Sequence, residues 1–320
     1  MVKSLKDCAK EWLDTLVVAI SVAMAFRAYF YEPFNIPTGS MQPTLYGNHY
    51  QPCEEKGAMQ TSPLKWINWL ATGRDYKEFL APFAGSVWLA ERIDGRYSLF
   101  MVSGKRRSDE ISIPTDALPY LNLGPESRGR TVVPVPRAGG FRVLHYFNAD
   151  GTLGPEVHVL KNTLLFSGYD TTGDFIFVNR WKWNFRLPAR SDVMVFSTTG
   201  IKGLMQGTHY IKRVVGLPGE KVEIKPGKVF INDVEMGPLK PMMGKRGERT
   251  PEPNPGANGH GGYAMNAPVE IGELEYFTCG DNSDNSLDSR YWGAVPEAKV
   301  TGNAACVFWP IVNPRWGMIK

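Results

Sequence analysis

Cysteine is scarce in this sequence. Four residues, Cys8, Cys53, Cys279 and Cys306, are spread through 320 positions and none belongs to a CxxC pair. Zinc-ligand spacing is missing, so neither a structural metal nor any other cofactor is expected. If the bulk of the chain lies outside the cytoplasm, one disulfide among Cys53, Cys279 and Cys306 is open to it, with no indication of which. Charge imbalance is also small, at +4 from 36 basic and 32 acidic side chains. The clusters Lys105-Arg106-Arg107 and Lys245-Arg246 sit among turn formers and read as solvated loops, which argues against nucleic acid as a partner. Residues 280–290 are dense in Asp and Asn but lack the Asp-x-Asp-x-Asp-Gly order and closing Glu of an EF-hand, leaving at most weak ion binding.

What is present points to a mainly β protein. Hydrophobic residues make up 43%, enough for a substantial core, and 33 glycines with 24 prolines favour many turns and short strands over long helices. The length allows two domains or one elaborate one.

The chain opens with a polar tail, residues 1–11, in which Lys3, Lys6 and Lys10 are partly offset by Asp7 and Glu11. Residues 12–31 then form a run of about the length a bilayer span requires. Its uninterrupted apolar part is Leu16 to Phe26, Asp14 and Arg27 stand near its ends, and Trp12, Tyr29 and Tyr31 would supply interfacial aromatics. A cleaved secretory signal ending near Ala23-Met24-Ala25 and a buried helix are the alternatives. An uncleaved anchor is the first choice, since length and aromatic flanks fit a span. The leading lysines orient it N-terminus inside, with everything after Tyr31 facing outward.

Directly after it comes Phe34-Asn35-Ile36-Pro37-Thr38-Gly39-Ser40-Met41-Gln42-Pro43-Thr44-Leu45. Two prolines restrict the backbone on either side of a small Thr-Gly-Ser centre. Taken alone the stretch reads as a Pro-bounded turn. It would also present the Ser40 Oγ and backbone N–H to one incoming group, as a nucleophile requires.

From residue 48 to residue 172 no catalytic constellation is evident. Trp66, Trp69 and Leu70 with Tyr76, Phe79 and Leu80 suggest a short amphipathic helix, for which core packing is expected ahead of contact with lipid. Ser86–Leu89 and Tyr97–Val102 flank Asp94-Gly95, and Arg142–Phe147 and Val157–Leu160 flank Asp150-Gly151, two hairpin signals. His145 and His158, on the arms of the second, would face each other as ordinary strand residues.

Beyond Gly173 the pattern is strongly β. Asp174–Val178, Asp192–Phe196 and Thr208–Gly216 read as strands, and Lys221–Ile224 with Lys228–Ile231 as a hairpin about Pro226-Gly227. A loop rich in Gly, Pro, Asn and charge fills residues 236–268.

Together the N-terminal span, Pro37–Leu45, the Asp192–Phe196 strand, Tyr210-Ile211-Lys212-Arg213-Val214-Val215-Gly216-Leu217-Pro218-Gly219, Gly280–Arg290 and Phe308-Trp309-Pro310 resemble bacterial type I signal peptidases. The resemblance covers a little under half the chain. It implies a coiled antiparallel β-sheet catalytic domain made of residues 32–47 and 173–320, behind one transmembrane helix and interrupted by a β-rich insertion, residues 48–172. It implies a membrane-bound serine endopeptidase that cleaves signal peptides from exported preproteins, with its catalytic domain on the outer face of the plasma membrane. Preproteins, the bilayer and the export translocon are the partners it suggests.

The resemblance also assigns roles. Ser40 would be the nucleophile and Lys212 the general base, a lysine whose pKa burial among Tyr210, Ile211, Val214 and Val215 must lower. Thr38 and the Ser40 N–H would hold the oxyanion. Ser286 would orient the lysine, with Asp288 and Arg290 in support. Substrate would add as a β-strand beside Phe34–Ile36 and the strand leading to Lys212. Apolar pockets near Phe34, Ile36, Met41, Leu45, Val195, Tyr210 and Ile211 would admit only small side chains, the Ala-x-Ala rule. The chain departs from the family at Ser283 (usually Arg), at Ser191 (usually Gly), and in the long insertion, which could gate substrate, touch membrane or translocon, or do nothing catalytic. Three other functions stay open: a self-cleaving Ser/Lys peptidase, a Ser-His-Asp hydrolase using His49 or His209, and a catalytically inactive membrane-anchored binding protein.

Overall fold

A computed structural model describes residues 5–53, 57, 60, 63–92, 96–127, 130–148, 150–225, 228–236, 267–282 and 285–319. The turns expected at Asp94-Gly95 and Pro226-Gly227, nearly all of the 236–268 loop, and Ser283 lie outside the described residues.

No glycine or proline interrupts residues 5–32, and this stretch forms the helix Leu5–Tyr29. Its Lys10–Tyr29 portion is long and apolar enough to cross a membrane, and none of it is buried against the rest of the protein. The helix ends two residues before the expected boundary. Tyr31 already belongs to a strand, Tyr31–Asn35, which pairs with Phe175–Asn179 so that Tyr31 stands opposite Asn179. Pro33, with no N–H to donate and a fixed φ, is compatible with this edge strand and not with a continuing helix.

The main sheet is antiparallel. Its strands run Tyr31–Asn35, Phe175–Asn179, Val300–Trp309, Val193–Ser197, His209–Gly216, Glu275–Cys279 and Val295–Pro296, with Gly317–Met318 added beside Val300–Trp309. Alternation places Ile176, Val178, Val193 and Val195 on one face, in a core shared with Ile36, Met41 and Leu45. Phe34 at one edge and Ile211 four strands away pack against that same core, so the sheet curls. A four-stranded sheet of Lys221–Lys225, Lys228–Ile231, Val234–Met236 and Val269–Glu270 has its own core of Val222, Ile224, Val229 and Ile231.

Between the turn carrying Ser40 and the strand at Phe175 the chain builds further β structure. His49–Pro52, Leu164–Thr171 and Arg74–Leu80 form a three-stranded sheet, and Gly85–Glu91, Arg96–Ser103 and Phe141–Phe147 are the centre of an eight-stranded one. Their core, with Val87, Leu89, Leu99 and Tyr146, shares no residue with the core beneath the main sheet.

Three local expectations are corrected here. The helix is Leu64–Thr72 and stops at Gly73, whose φ of 68° lies in the left-handed region. Tyr76, Phe79 and Leu80 therefore sit on the following strand instead. No residue of the helix is buried, contrary to the expected core packing. His145 and His158 do not face each other. Leu153–Glu156 is the arm that pairs with Phe141–Phe147, placing Glu156 opposite His145, while His158 pairs with Ser86 on a different strand.

Candidate active site

Thr38 is extended, at φ −118° and ψ 158°, and leads into the short 3-10 helix Gly39–Met41. Met41 and Leu45 are fully buried and root this turn in the core under the main sheet. Ser40, between extended Thr38 and buried Met41, keeps 8% of its surface exposed.

Lys212 reaches it from the strand His209–Gly216. Its Nζ donates to the Ser40 Oγ at 2.7 Å, and the residue is only 3% exposed. Burial pulls the lysine pKa down from the ordinary 10.5 to about 8, with Arg290 adding to the fall and Asp288, Asp281 and Cys279 opposing it. About one lysine in ten is then neutral at pH 7. The Thr38 Oγ1 lies 3.5 Å from the Ser40 Oγ.

The segment after Glu275–Cys279 closes over the back of this pair. Asn282 donates its backbone N–H to the Ser40 carbonyl at 3.0 Å and its side-chain amide to the Gly39 carbonyl at 2.9 Å. Asp281 accepts two bonds from Arg213, each 2.8 Å, and Arg213 also donates to the Ser191 carbonyl at 2.6 Å. Asp288 accepts the Gly280 N–H at 2.9 Å and two guanidinium nitrogens of Arg290 at 2.7 and 2.8 Å. Burial pushes the Asp288 carboxyl up, but the Arg290 charge and these hydrogen bonds outweigh it and hold the pKa below the ordinary carboxylate value. Ser286 is buried nearby, and its Oγ makes no hydrogen bond to Lys212.

A cleft of about 390 Å³ opens in front of the Ser40 hydroxyl. Ile36, Pro37 and Thr38 form one wall, His209 to Lys212 the other, and Met205, Thr208, Asn285 and Leu287 complete the lining. Both walls expose unused strand edge. Tyr31–Asn35 ends the main sheet with a single partner, and Glu275–Cys279 pairs with His209–Gly216 only from Arg213 onward.

Of the residues singled out in the sequence, the structure thus brings Ser40, Lys212, Thr38, Ile36, Tyr210 and Ile211 together around one cleft. Phe34 stands beside it, its ring edge-on to His209 with centroids 5.1 Å apart. Met41, Leu45 and Val195 lie in the core behind and do not line it. Asp288 and Arg290 pair with each other and not with Lys212. His209 also lines the cleft. Sequence reasoning passed over Arg213, Asp281 and Asn282. All three stand in the quoted motifs, where only their burial distinguishes them from ordinary polar strand and loop residues. No disulfide joins Cys53, Cys279 and Cys306.

Over residues 9–63 and 167–309, more than half of its length, the chain matches the family described as signal peptidase, peptidase S26. It is 33% identical over 147 residues to the probable signal peptidase I-2 of Synechocystis sp., covering 46% of this chain and 59% of that protein. It is 32% identical over 143 residues to signal peptidase I of Leptolyngbya laminosa, covering 43% and 61%. With signal peptidase I P of Bacillus subtilis subsp. natto it shares 32% identity over 144 residues, covering 44% and 69%. The chain therefore spans about three fifths of the length of the first two relatives.

Proposed function

Since the chain belongs to the signal peptidase family, peptidase S26, we propose that it is a membrane-anchored serine endopeptidase that removes signal peptides from exported preproteins. The observation that carries this reading is the 2.7 Å contact between the Lys212 Nζ and the Ser40 Oγ, both buried, at the closed end of a cleft.

In this reading the neutral Lys212 amine takes the Ser40 proton as the Oγ attacks the scissile carbonyl carbon. The Ser40 N–H and the Thr38 hydroxyl hold the oxygen that becomes negative. The C–N bond breaks as Lys212 returns the proton to the leaving amine, and water, deprotonated by the same lysine, then cleaves the acyl ester. Asp288 with Arg290 fixes the loop behind Ser40, and the Lys212 amine is aimed at Ser40 by its own strand and burial.

The preprotein enters as an extra strand between the two unused edges, Phe34–Ile36 and His209–Ile211. Ile36, Tyr210 and Ile211 bound the pockets, Phe34 flanks them, and the core with Met41, Leu45 and Val195 packs behind these walls. Small residues at the first and third positions before the cut, as in Ala-x-Ala, are what such pockets accept. The helix Leu5–Tyr29 crosses the plasma membrane with its N-terminus inside, placing Ser40 where an exported chain leaves the bilayer. Residues 48–172 are an inserted unit between the two parts of the catalytic domain, 32–47 and 173–320, and the translocon is a neighbour in this arrangement.

The test is cleavage of a preprotein by intact protein in detergent. Ser40→Ala and Lys212→Ala each abolish it, while His209→Ala, whose ring packs edge-on against Phe34, keeps most of it. An active Lys212→Ala enzyme would sink the dyad. No cleavage by the unaltered protein would favour an inactive binding protein.

A further inference from the structure

We propose that the helix Leu64–Thr72 and the segment after Trp309 together form a surface that rests on the lipid bilayer beside the helix Leu5–Tyr29. The proposal builds on the reading of that first helix as a membrane span. The helix lies in residues 64–166 and the second segment beyond residue 309, to neither of which the family match extends.

The two stretches make one patch. On the helix, Trp66, Ile67 and Leu70 are 71%, 60% and 58% exposed, and in the second segment Ile311 and Val312 are 58% and 68% exposed. The Val312 N–H donates to the Ala71 carbonyl at 2.8 Å, and the Trp309 Nε1 donates to the Leu70 carbonyl at 2.7 Å. One backbone and one side-chain hydrogen bond thus hold together two stretches that expose five large apolar side chains. Single exposed apolar residues are common, but a contiguous set on two locked elements marks an interaction surface.

Lipid is the favoured occupant because the patch is continuous with the apolar helix. Phe26, near the end of that helix, stacks on Tyr31 at 6.0 Å, Tyr31 meets Phe177 edge-on at 6.3 Å, and Phe177 stacks on Phe308 at 4.2 Å. On the next rows Phe175 contacts Trp309 at 5.1 Å, and Trp309 contacts Trp69 on the helix at 5.2 Å. These rings form a band on the face of the main sheet opposite its core, running from the candidate span to the patch. Aromatic rings with one polar edge favour the headgroup region, and a short helix showing Trp, Ile and Leu on one side can lie in that plane.

The experiment uses the full chain in phosphatidylcholine–phosphatidylglycerol vesicles containing spin-labelled lipid. A fluorescent amino acid is placed in turn at position 67, at position 18 in the apolar helix, and at position 234, an exposed apolar site off the aromatic band. Quenching at 67 should approach that at 18 and exceed that at 234 several-fold. Adding Trp66→Ser and Leu70→Ser should remove most of the quenching at 67. Strong quenching at 18 with none at 67 overturns the proposal, leaves the span intact, and points to a protein partner or a second copy for the patch. Quenching at 67 without any at 18 supports the lipid surface and overturns the span. Absence at both positions overturns both.

Discussion

Arg213 and Asp281 meet fully inside the protein, joined by two N–H···O contacts of 2.8 Å, on the strand residue that follows Lys212 and in the loop that closes behind Ser40. A buried pair of this kind adds little over an apolar pair of the same shape, but removing one member leaves the other charged and unsolvated. Asp281→Ala is expected to destabilise the protein by about 3–5 kcal/mol in a denaturant titration. Because Asn282 holds the Ser40 carbonyl, the same variant should also lose cleavage under conditions where it remains folded. A shift below 1 kcal/mol would show that water reaches Arg213 once the carboxylate is gone.

Lys212 gives a pH dependence with a definite sign. Its pKa falls from 10.5 to about 8 on folding, so the unfolded chain binds more protons between those values. Stability should therefore rise as pH climbs from about 8 to 10.5, and below pH 8 the buried charge costs about 3 kcal/mol. Lys212→Met should be more stable than the parent at pH 7, by up to that amount, while losing all cleavage. The kcat/KM of the parent on a short peptide should climb with pH and level off above about pH 8, as a neutral amine acting as base requires. A flat profile from pH 6 to pH 9 would remove Lys212 from that role.

Ser191 is a place where backbone geometry departs from residue type. Its φ is 72°, in the region that glycine enters without strain and an L side chain does not. The position is fixed from both sides, since its N–H donates to the Val214 carbonyl at 2.9 Å and its own carbonyl accepts from Arg213. Ser191→Gly should stabilise the fold by about 1 kcal/mol, visible as a higher Tm, with cleavage unchanged. A lower Tm would mean that the serine side chain contributes more than the strain it brings.

The strands around the site were legible because each is a short apolar run bounded by turn formers, as at Phe175–Asn179 and Val193–Ser197. Ser40 and Lys212 were legible through motif resemblance. Their 172-residue separation gives no local signal, and only the curl of the sheet brings them together. What could not be read depends on tertiary surroundings. Tyr76, Phe79 and Leu80 suit a helix by spacing, yet Gly73 turns the chain and Leu164–Thr171 captures them as a strand. Likewise, an amphipathic pattern at Trp66–Leu70 cannot say whether the apolar face meets protein or remains open.

Gly280 is where the two halves of the site touch most closely. A Cβ on Gly280 would lie 2.1 Å from the Ser286 Oγ and 2.5 Å from the Ser40 carbonyl oxygen, both far inside van der Waals contact. The Gly280 N–H is also committed to Asp288, so the residue cannot slide away from the clash. Gly280→Ala must therefore push the Ser40 turn, the Ser286 hydroxyl, or both, out of register with Lys212. Overpacking of this size costs about 1–3 kcal/mol of stability. The loss of cleavage should be larger in proportion, roughly 100-fold in kcat, because a displacement near 1 Å in a reacting pair has that effect. Kinetics at a temperature where far-UV circular dichroism shows the variant folded separate the two consequences. Normal kcat in a folded Gly280→Ala protein would mean that the loop behind Ser40 does not position it.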